Sequence, residues 1–205
     1  MGTGIVILII VIVLVVVLAL AAVGMYNGLI KLRNVVQESW RQIDVELNRR
    51  HDLIPNLVET VKGYASHERE TLQAVTNARA AAMQPGASPA QQAQQENVLT
   101  QALGRLFAVA EAYPDLKANQ NFLQLQRDLT DTEDRVAASR RFYNANVRAL
   151  NTKVETVPSN IVAGMFGIKQ AEYFEADDEQ VRAAPQVSFG TPGGAPQQPP
   201  APPSA

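Results

Sequence analysis

The sequence predicts an all-α protein with an N-terminal transmembrane helix, an elongated antiparallel up-and-down bundle of three long helices plus a short fourth, and a disordered C-terminal tail. Three observations lead to this prediction. Residues 1–30 contain no charged side chain, residues 31–182 hold every Lys, Arg, Asp and Glu, and residues 183–205 are uncharged and rich in proline and glycine. We therefore expect three segments in this order, namely a transmembrane anchor, a helical bundle and a tail.

The first segment is predicted to cross a membrane. Residues 5–23 are an unbroken run of Ile, Val, Leu and Ala, and a bilayer core of about 30 Å needs about 20 apolar residues in a helix. The segment must be helical because lipid offers the backbone no hydrogen-bond partner. A cleaved signal peptide is the alternative, since Ala19 and Ala21 have the small-x-small spacing of a cleavage site. The length of the run and the lack of a preceding cation favour the anchor.

Charge asymmetry around the span predicts its orientation. Lys31 and Arg33 follow the span, whereas no Lys or Arg precedes it, and such cations remain on the cytoplasmic side. We expect a single-pass protein of the inner (cytoplasmic) membrane, with a short N-terminus outside and the bundle in the cytoplasm. A bundle on the outer side is the alternative. Tyr26 lies where aromatic side chains meet lipid head groups, so the predicted membrane-interface residues are Tyr26, Lys31 and Arg33.

Apolar periodicity and proline placement predict the first two bundle helices. The first spans residues 31–83, where two rows of mainly apolar residues repeat every seven positions, as in a supercoiled seam. Pro55 lies inside this helix and is expected to kink it. After a loop, Ser88 can cap and Pro89 can open a second helix over residues 90–113, which Pro114 ends.

The third and fourth helices follow the same rules. The third runs from about Leu116 to Val157, with an apolar stripe whose members are seven residues apart. Pro158 ends it, and Ser159 can cap a short helix over residues 160–167 whose apolar surface must pack on something. The tail from residue 183 onward cannot bury enough apolar surface to fold, and we expect it to be disordered.

Several polar residues occupy positions in or beside the predicted seams. Arg50 and Glu68 lie in the seam of the first helix, and Glu133 and Arg140 lie near the middle of the third. They form either a buried polar layer that fixes helix register and partner or long side chains whose charged ends reach water. The candidate register or interface residues are Arg50, Asp52, Pro55, Asn56, Glu68, Glu133, Arg140, Tyr143 and Asn144.

Composition and motifs argue against most catalytic classes. The chain has no cysteine, which excludes disulfides, thiolate metal sites and cysteine nucleophiles. Its formal net charge of −2 argues against a nucleic-acid binder, and it lacks the phosphate-loop, dinucleotide, zinc-protease and serine-hydrolase motifs. We expect His51 and His67 on exposed helix faces, and a metal site shared with carboxylates is the alternative. The prediction is a protein without enzymatic activity, cofactor or metal.

Several long motifs of the chain resemble the LemA family. They are RRHDLIPNLVETVKGYA at residues 49–65, YPDLKANQNFLQLQ at 113–126, TEDRV at 132–136, RFYN at 141–144, PSNIVAGMFG at 158–167 and YFE at 173–175. The resemblance covers roughly residues 5–175 and leaves the tail outside. It implies a bacterial-type single-pass membrane protein with an up-and-down helical bundle, in a family without an established enzymatic activity.

The sequence favours a non-enzymatic scaffold or organiser at the bacterial cell envelope membrane. An anchor followed by a long bundle without catalytic motifs leads to this hypothesis, and self-association would supply avidity at the membrane. The expected partners are the lipid bilayer, further copies of the chain and an unidentified membrane protein. We do not expect the chain to bind nucleic acid. The alternative is an adaptor that recruits or regulates a membrane-bound enzyme such as a protease.

Overall fold

The structure, a computed structural model, describes residues 2–175, and these contain helices and no strand. The all-α prediction is therefore confirmed. The predicted disordered tail, residues 183–205, lies outside the described residues. The helices are α1 (Gly2–Tyr64), α2 (Arg69–Ala82), α3 (Pro89–Ala110), α4 (Pro114–Lys117), α5 (Gln120–Glu155) and α6 (Ser159–Met165).

Helix α1 joins the apolar N-terminal segment to the bundle without interruption. It has 63 residues, which corresponds to about 95 Å at a rise of 1.5 Å per residue. It passes through the predicted boundary at residues 30 and 31 as regular helix. Its apolar run is exposed to the surroundings, and it is the one helix among the described residues that is long and apolar enough to cross a membrane.

Pro55 lies inside α1 and does not end it. A proline has no backbone N–H, so it leaves the carbonyl group four residues earlier without its helical donor. That carbonyl belongs to His51, and Nε of Arg79 on α2 donates a hydrogen bond to it at 2.8 Å. The contact between α1 and α2 thus replaces the backbone hydrogen bond that the proline removes.

A turn over residues 65–68 separates α1 from α2, where we predicted one continuous helix over residues 31–83. Two hydrogen bonds from distant residues hold this turn. Asn119 Nδ2 donates to the hydroxyl oxygen of Tyr64 at 2.9 Å, and the Tyr113 hydroxyl donates to Glu68 Oε1 at 3.1 Å. Because these partners lie 55 and 45 residues away in the sequence, the local apolar pattern does not reveal the break.

The start of α3 confirms the predicted cap. Ser88 Oγ accepts a hydrogen bond from the backbone N–H of Gln91, and the Gln91 side chain accepts one from the backbone N–H of Ser88. This reciprocal pair satisfies two donors at the helix N-terminus. Pro89 is the first helical residue, where its fixed φ angle fits the helix.

The third long helix and the short fourth helix begin differently from the prediction. Asn119 caps α5 by accepting a hydrogen bond from the backbone N–H of Phe122 at 3.0 Å, and the preceding residues form the separate helix α4. Ser159 is the first residue of α6 rather than its cap. Its hydroxyl lies 2.7 Å from the carbonyl oxygen of Lys153, in the last turn of α5, and 2.9 Å from that of Thr156, the residue after α5.

Helices α1 and α5 form an antiparallel pair that runs the length of the bundle. Trp40 of α1 packs against Tyr143 of α5, whereas Arg50, farther along α1, binds Glu133, which is earlier in α5. Helices α2 and α3 complete a four-helix arrangement at the end away from the apolar segment. The short helix α6 and the residues after it cover the other end.

The bundle contains two apolar cores. The distal core lies at the four-helix end and consists of Ile54, Leu57, Val61, Ala65, Leu72, Val75, Ala78, Ala82, Leu99, Ala102, Leu103, Leu106, Ala110, Leu116, Phe122 and Leu129. The proximal core lies nearer the apolar segment and consists of Leu29, Val36, Ile43, Leu47, Ala93, Val136, Tyr143, Val147, Leu150, Val162, Ala163, Ile168 and Phe174.

Candidate functional site

A layer of buried polar side chains lies between the two cores. Arg50 and His51 on α1 and Glu96 on α3 are each no more than 5% exposed. Arg50 Nη1 donates to Glu96 Oε2 at 2.9 Å, and His51 Nε2 lies 2.8 Å from Glu96 Oε1. Gln92 Nε2 donates to the same oxygen at 3.0 Å. One carboxylate therefore joins α3 to two consecutive residues of α1.

Arg50 extends this polar layer to a third helix. Its Nη2 donates to Thr100 Oγ1 of α3 at 2.7 Å and forms an ion pair with Glu133 Oε2 of α5, also at 2.7 Å. The Glu133 side chain is half-exposed, so the network runs from the interior to the surface. Any alignment of α1, α3 and α5 that separates Arg50 from its carboxylates leaves a buried charge uncompensated, which is strongly unfavourable.

The contacts of Glu96 determine which nitrogen of His51 carries a proton. Glu96 is ion-paired with Arg50 and acts as a hydrogen-bond acceptor, so His51 Nε2 must be the donor. The second ring nitrogen, Nδ1, is buried without a hydrogen-bond partner among the described residues. Our prediction of an exposed His51 is wrong because α3 covers it, whereas His67 is exposed as expected.

No metal site is found in the part of the chain that the structure describes. Within residues 2–175, no three His, Asp or Glu side chains converge closely enough to hold an ion. His51 and Glu96 meet as a pair, and both Glu96 oxygens already accept hydrogen bonds from α1. The pair therefore stabilises the packing of two helices.

A cleft of about 310 Å³ opens beside the exposed end of the polar layer. Its apolar wall includes Leu103, Phe107 and Leu129, and Arg50 and Glu133 border it. Both terminal nitrogens of Arg50 are bound to protein groups, so the cleft offers no free guanidinium to an anionic substrate. The geometry of the cleft does not assemble a nucleophile with a base.

The residues after α6 form a second polar arrangement, which we call the strap (residues 168–175). Asn151 of α5 binds both backbone groups of Ala171, accepting from its N–H at 2.8 Å and donating to its carbonyl oxygen at 3.0 Å. Asn144 binds Phe174 in the same way, at 2.9 Å and 3.4 Å. The strap therefore runs antiparallel to α5, held by two asparagines seven residues apart.

Tyr143 fixes the strap between these two asparagines. Its hydroxyl donates to the carbonyl oxygen of Glu172 at 2.8 Å. Burial, together with the negative charge of Glu172, raises the pKa of Tyr143 to about 12. The Trp40 ring packs against Tyr143 and Phe174, with ring centroids 5.4 Å and 5.6 Å apart. The strap thus closes the side of the proximal core that α2 and α3 do not reach.

The remaining candidate register residues lie mostly on the surface. Asp52, Pro55, Asn56 and Arg140 are exposed. Glu68 is half-buried rather than buried, and its side chain accepts the hydrogen bond from Tyr113, which raises the pKa of that hydroxyl group. Of the candidate residues, Arg50 and Glu133 thus form an ion pair in the polar layer, and Tyr143 and Asn144 both bind the strap. Their role in register or in an interface stays a prediction.

The predicted membrane-interface residues lie at the proximal end. The Tyr26 ring is half-buried and packs against Phe166, with ring centroids 4.5 Å apart. Lys31 and Arg33 are exposed. The contact with Phe166 places α6 beside the end of the apolar run.

Sequence reasoning missed the partners of the residues that it identified. Glu96 and Thr100 follow a glutamine-rich stretch that is typical of a solvated helix face, so nothing local marks them as buried. No sequence pattern around Arg79 indicates its contact with α1. Asn151 could have been found, because it lies seven residues after Asn144 and therefore occupies the same position in the periodic stripe of α5.

Comparison with known proteins identifies related chains. A sequence model of the LemA family matches residues 39–189. Protein LemA of Metamycoplasma hominis is 27% identical over 156 residues, covering 76% of this chain and 71% of that protein. Magnetosome protein MamQ 2 of Paramagnetospirillum magneticum is 27% identical over 175 residues, and magnetosome protein MamQ of Magnetospirillum gryphiswaldense is 26% identical over 174. Each alignment covers 73% of this chain and 64% of the MamQ protein.

The family match includes every element of the polar layer and the strap. It starts at residue 39, so the apolar segment lies outside it, and it extends to residue 189, beyond the predicted end of the resemblance at residue 175. The predicted resemblance is confirmed over the bundle. Because the match covers most of the sequence, the chain belongs to the LemA family.

Proposed function

We propose that this chain is a non-enzymatic single-pass membrane protein whose bundle acts as a scaffold or organiser at the bacterial cell envelope membrane through self-association. The observation that carries this proposal is the continuity of α1 from the apolar run to Tyr64. A helix without a break transmits the orientation of its span to the bundle. Each copy then presents the same surface at the same height above the bilayer, which favours ordered association.

The charges beside the span support a cytoplasmic bundle in the inner membrane. Lys31 and Arg33 are exposed on α1 directly after the apolar run, and residues 1–30 contain no cation. Cations beside a span favour the cytoplasmic side, where anionic lipids attract each of them by about 1 kcal/mol.

The polar layer supports a structural role for the bundle. Arg50, His51 and Glu96 bind one another in the interior, and these contacts hold α1 against α3. The names of the relatives state no reaction. Two of them are called magnetosome proteins, after a cellular structure, and one is called protein LemA.

Cross-linking in membranes tests the proposal. The full chain is incorporated into vesicles and treated with an amine-reactive cross-linker, which can reach exposed lysines such as Lys62 and Lys117. We expect dimers or larger products that persist when lipid is added in excess. Monomers alone, in vesicles and in native membranes, would contradict self-association. Products with a different protein but none between copies would favour the adaptor alternative.

A matched control locates the contact. Residues 5–23 are replaced by an unrelated apolar span of equal length, which keeps the anchor and leaves the bundle unchanged. The proposal expects the same cross-linked products, because the bundle makes the contact. Loss of the products would assign the contact to the span instead.

A further inference from the structure

We propose that α6 and its flanking residues form a membrane-docking surface that enters the lipid leaflet from which α1 emerges. This inference rests on the membrane anchor of the proposed function. Its basis is four large apolar side chains that lie within ten residues of sequence and remain between 58% and 77% exposed. They are Val157, Ile161, Met165 and Phe166.

The position of α6 along α1 identifies lipid as the occupant of this surface. Phe166 packs against Tyr26, and Ala22, inside the apolar run, is partly buried against the proximal core to which α6 contributes. The first charged residue of α1 is Lys31. The stretch between residue 23 and Lys31 is about 12 Å long in a helix, and it lies where the head groups of the bilayer would be.

The two sides of α6 have different surroundings. Val162 and Ala163 are buried in the proximal core, whereas Ile161 and Met165, four residues apart and hence on one helix face, point away from it and are exposed. A helix with one apolar face at the level of the head groups inserts that face into the interface between head groups and acyl chains. Phe166, at the end of α6, packs against Tyr26, three residues after the apolar run of α1.

Four basic side chains lie on the segments next to this surface, together with the acidic Glu155 at the end of α5. Lys31 and Arg33 lie on α1, Lys153 lies in the last turn of α5 and Lys169 lies at the start of the strap. All four are exposed, and none forms a salt bridge within residues 2–175. Cations at the level of the head groups are attracted to anionic lipids, so this charge pattern fits a lipid surface.

Fluorescence of a single label tests the proposal in the full chain. The chain has no cysteine, so single substitutions carry one environment-sensitive dye each. Met165→Cys probes α6, Val15→Cys probes the span, and Val45→Cys is the matched control at an exposed apolar residue of the bundle. Each protein is placed in nanodiscs of phosphatidylcholine and phosphatidylglycerol, with or without quencher lipid that carries the spin label at shallow acyl positions in one fraction and at deep acyl positions in the other.

We expect the dyes on Met165→Cys and Val15→Cys to emit at shorter wavelength than the dye on Val45→Cys. The quencher lipid should reduce the intensity of these two dyes at least twofold and leave that of Val45→Cys unchanged. If Met165→Cys behaves like Val45→Cys while Val15→Cys is quenched, the anchor holds and the docking surface is overturned. If Val15→Cys is not quenched, both proposals fail. A Met165→Cys signal that disappears when each nanodisc holds one copy would assign the surface to a second copy and also overturn the proposal.

Discussion

The distal and proximal halves of the bundle close their apolar cores in different ways. In the distal half, four helices surround the core, and the large apolar side chains left exposed, such as Val98 and Leu123, are scattered singly, which is normal for a soluble surface. In the proximal half, only α1 and α5 are long helices, and the strap and α6 close the remaining side. The exposed apolar residues there are concentrated around α6.

This difference shows what each half needs from its surroundings. In the distal half, the polar layer and the hydrogen bonds that hold the turns join buried groups to one another, although His51 Nδ1 has no partner among the described residues. The proximal half leaves an apolar surface next to the apolar run of α1. The proximal half therefore fits the proposed contact with a bilayer, whereas the distal core is enclosed by the helices of the bundle.

The largest expected effect comes from breaking the polar layer. Glu96→Ala removes the buried carboxylate that binds both Arg50 and His51. Arg50 then stays buried with the half-exposed Glu133 as the one carboxylate that still binds it among the described residues. Removing one partner of a buried ion pair destabilises a protein by about 3–5 kcal/mol. We expect a loss of this size in the free energy of unfolding, measured by urea denaturation of the full chain in detergent.

Glu133→Ala is the matched control for this prediction. It removes the half-exposed carboxylate and leaves the pair of Arg50 with Glu96 intact. The expected loss is about 1 kcal/mol or less, as for exposed ion pairs. Equal losses from the two substitutions would show that the buried pair does not hold the distal half together.

A smaller effect is expected from releasing the strap in the proximal half. Asn151→Ala removes two hydrogen bonds to Ala171, each of which contributes about 0.5–1.5 kcal/mol net. We expect a loss of about 2 kcal/mol and faster hydrogen exchange at the strap amides, with no change in the distal core. Asn146→Ala is the control, since its side-chain nitrogen has no partner among the described residues. Unchanged exchange at the strap in Asn151→Ala would contradict the assigned contacts.

The smallest expected effect concerns Tyr143 and depends on pH. Its pKa is raised to about 12 in the folded chain, mainly by burial, and is about 10 in an unfolded chain. The folded state therefore holds more protons between pH 10 and 12, and stability falls as the pH rises through this window. Tyr143→Phe should lose about 1 kcal/mol at neutral pH through its missing hydrogen bond to Glu172.

The comparison between wild type and Tyr143→Phe isolates this group from the other tyrosines. The stability advantage of the wild type should be constant below pH 10 and shrink as the pH rises toward 12. The measurement is urea denaturation of both proteins across this range. A constant difference up to pH 12 would show that Tyr143 titrates near its ordinary pKa.

Part of this architecture could be predicted from the sequence because the relevant patterns are local. Spacing by seven identified the buried faces of α1 and α5, including Ile43, Leu57 and Leu129, and it placed Arg50 in the seam. The capping pattern at Ser88 identified the start of α3. Periodicity and capping depend on neighbours within a few residues, so the sequence contains the information directly.

The rest depends on contacts between distant residues. Pro55 lies inside α1, as expected, but no local pattern shows that Arg79 supplies the donor that this proline removes. The true break follows Tyr64, whose hydroxyl oxygen accepts a hydrogen bond from Asn119, 55 residues later in the chain. The position of Glu96 against His51 likewise depends on how α3 lies against α1, which no single-helix pattern determines.

The continuity of α1 from the apolar run to the bundle can be tested by measuring how rigid this helix is. In the full chain in nanodiscs, spin labels on Val15→Cys and Val45→Cys lie on the same helix, on either side of the predicted membrane surface. A continuous helix places these positions about 45 Å apart, so pulsed electron paramagnetic resonance should give one narrow distance distribution near that value. A broad distribution, or one centred at a much shorter distance, would show a hinge between span and bundle and contradict the claim.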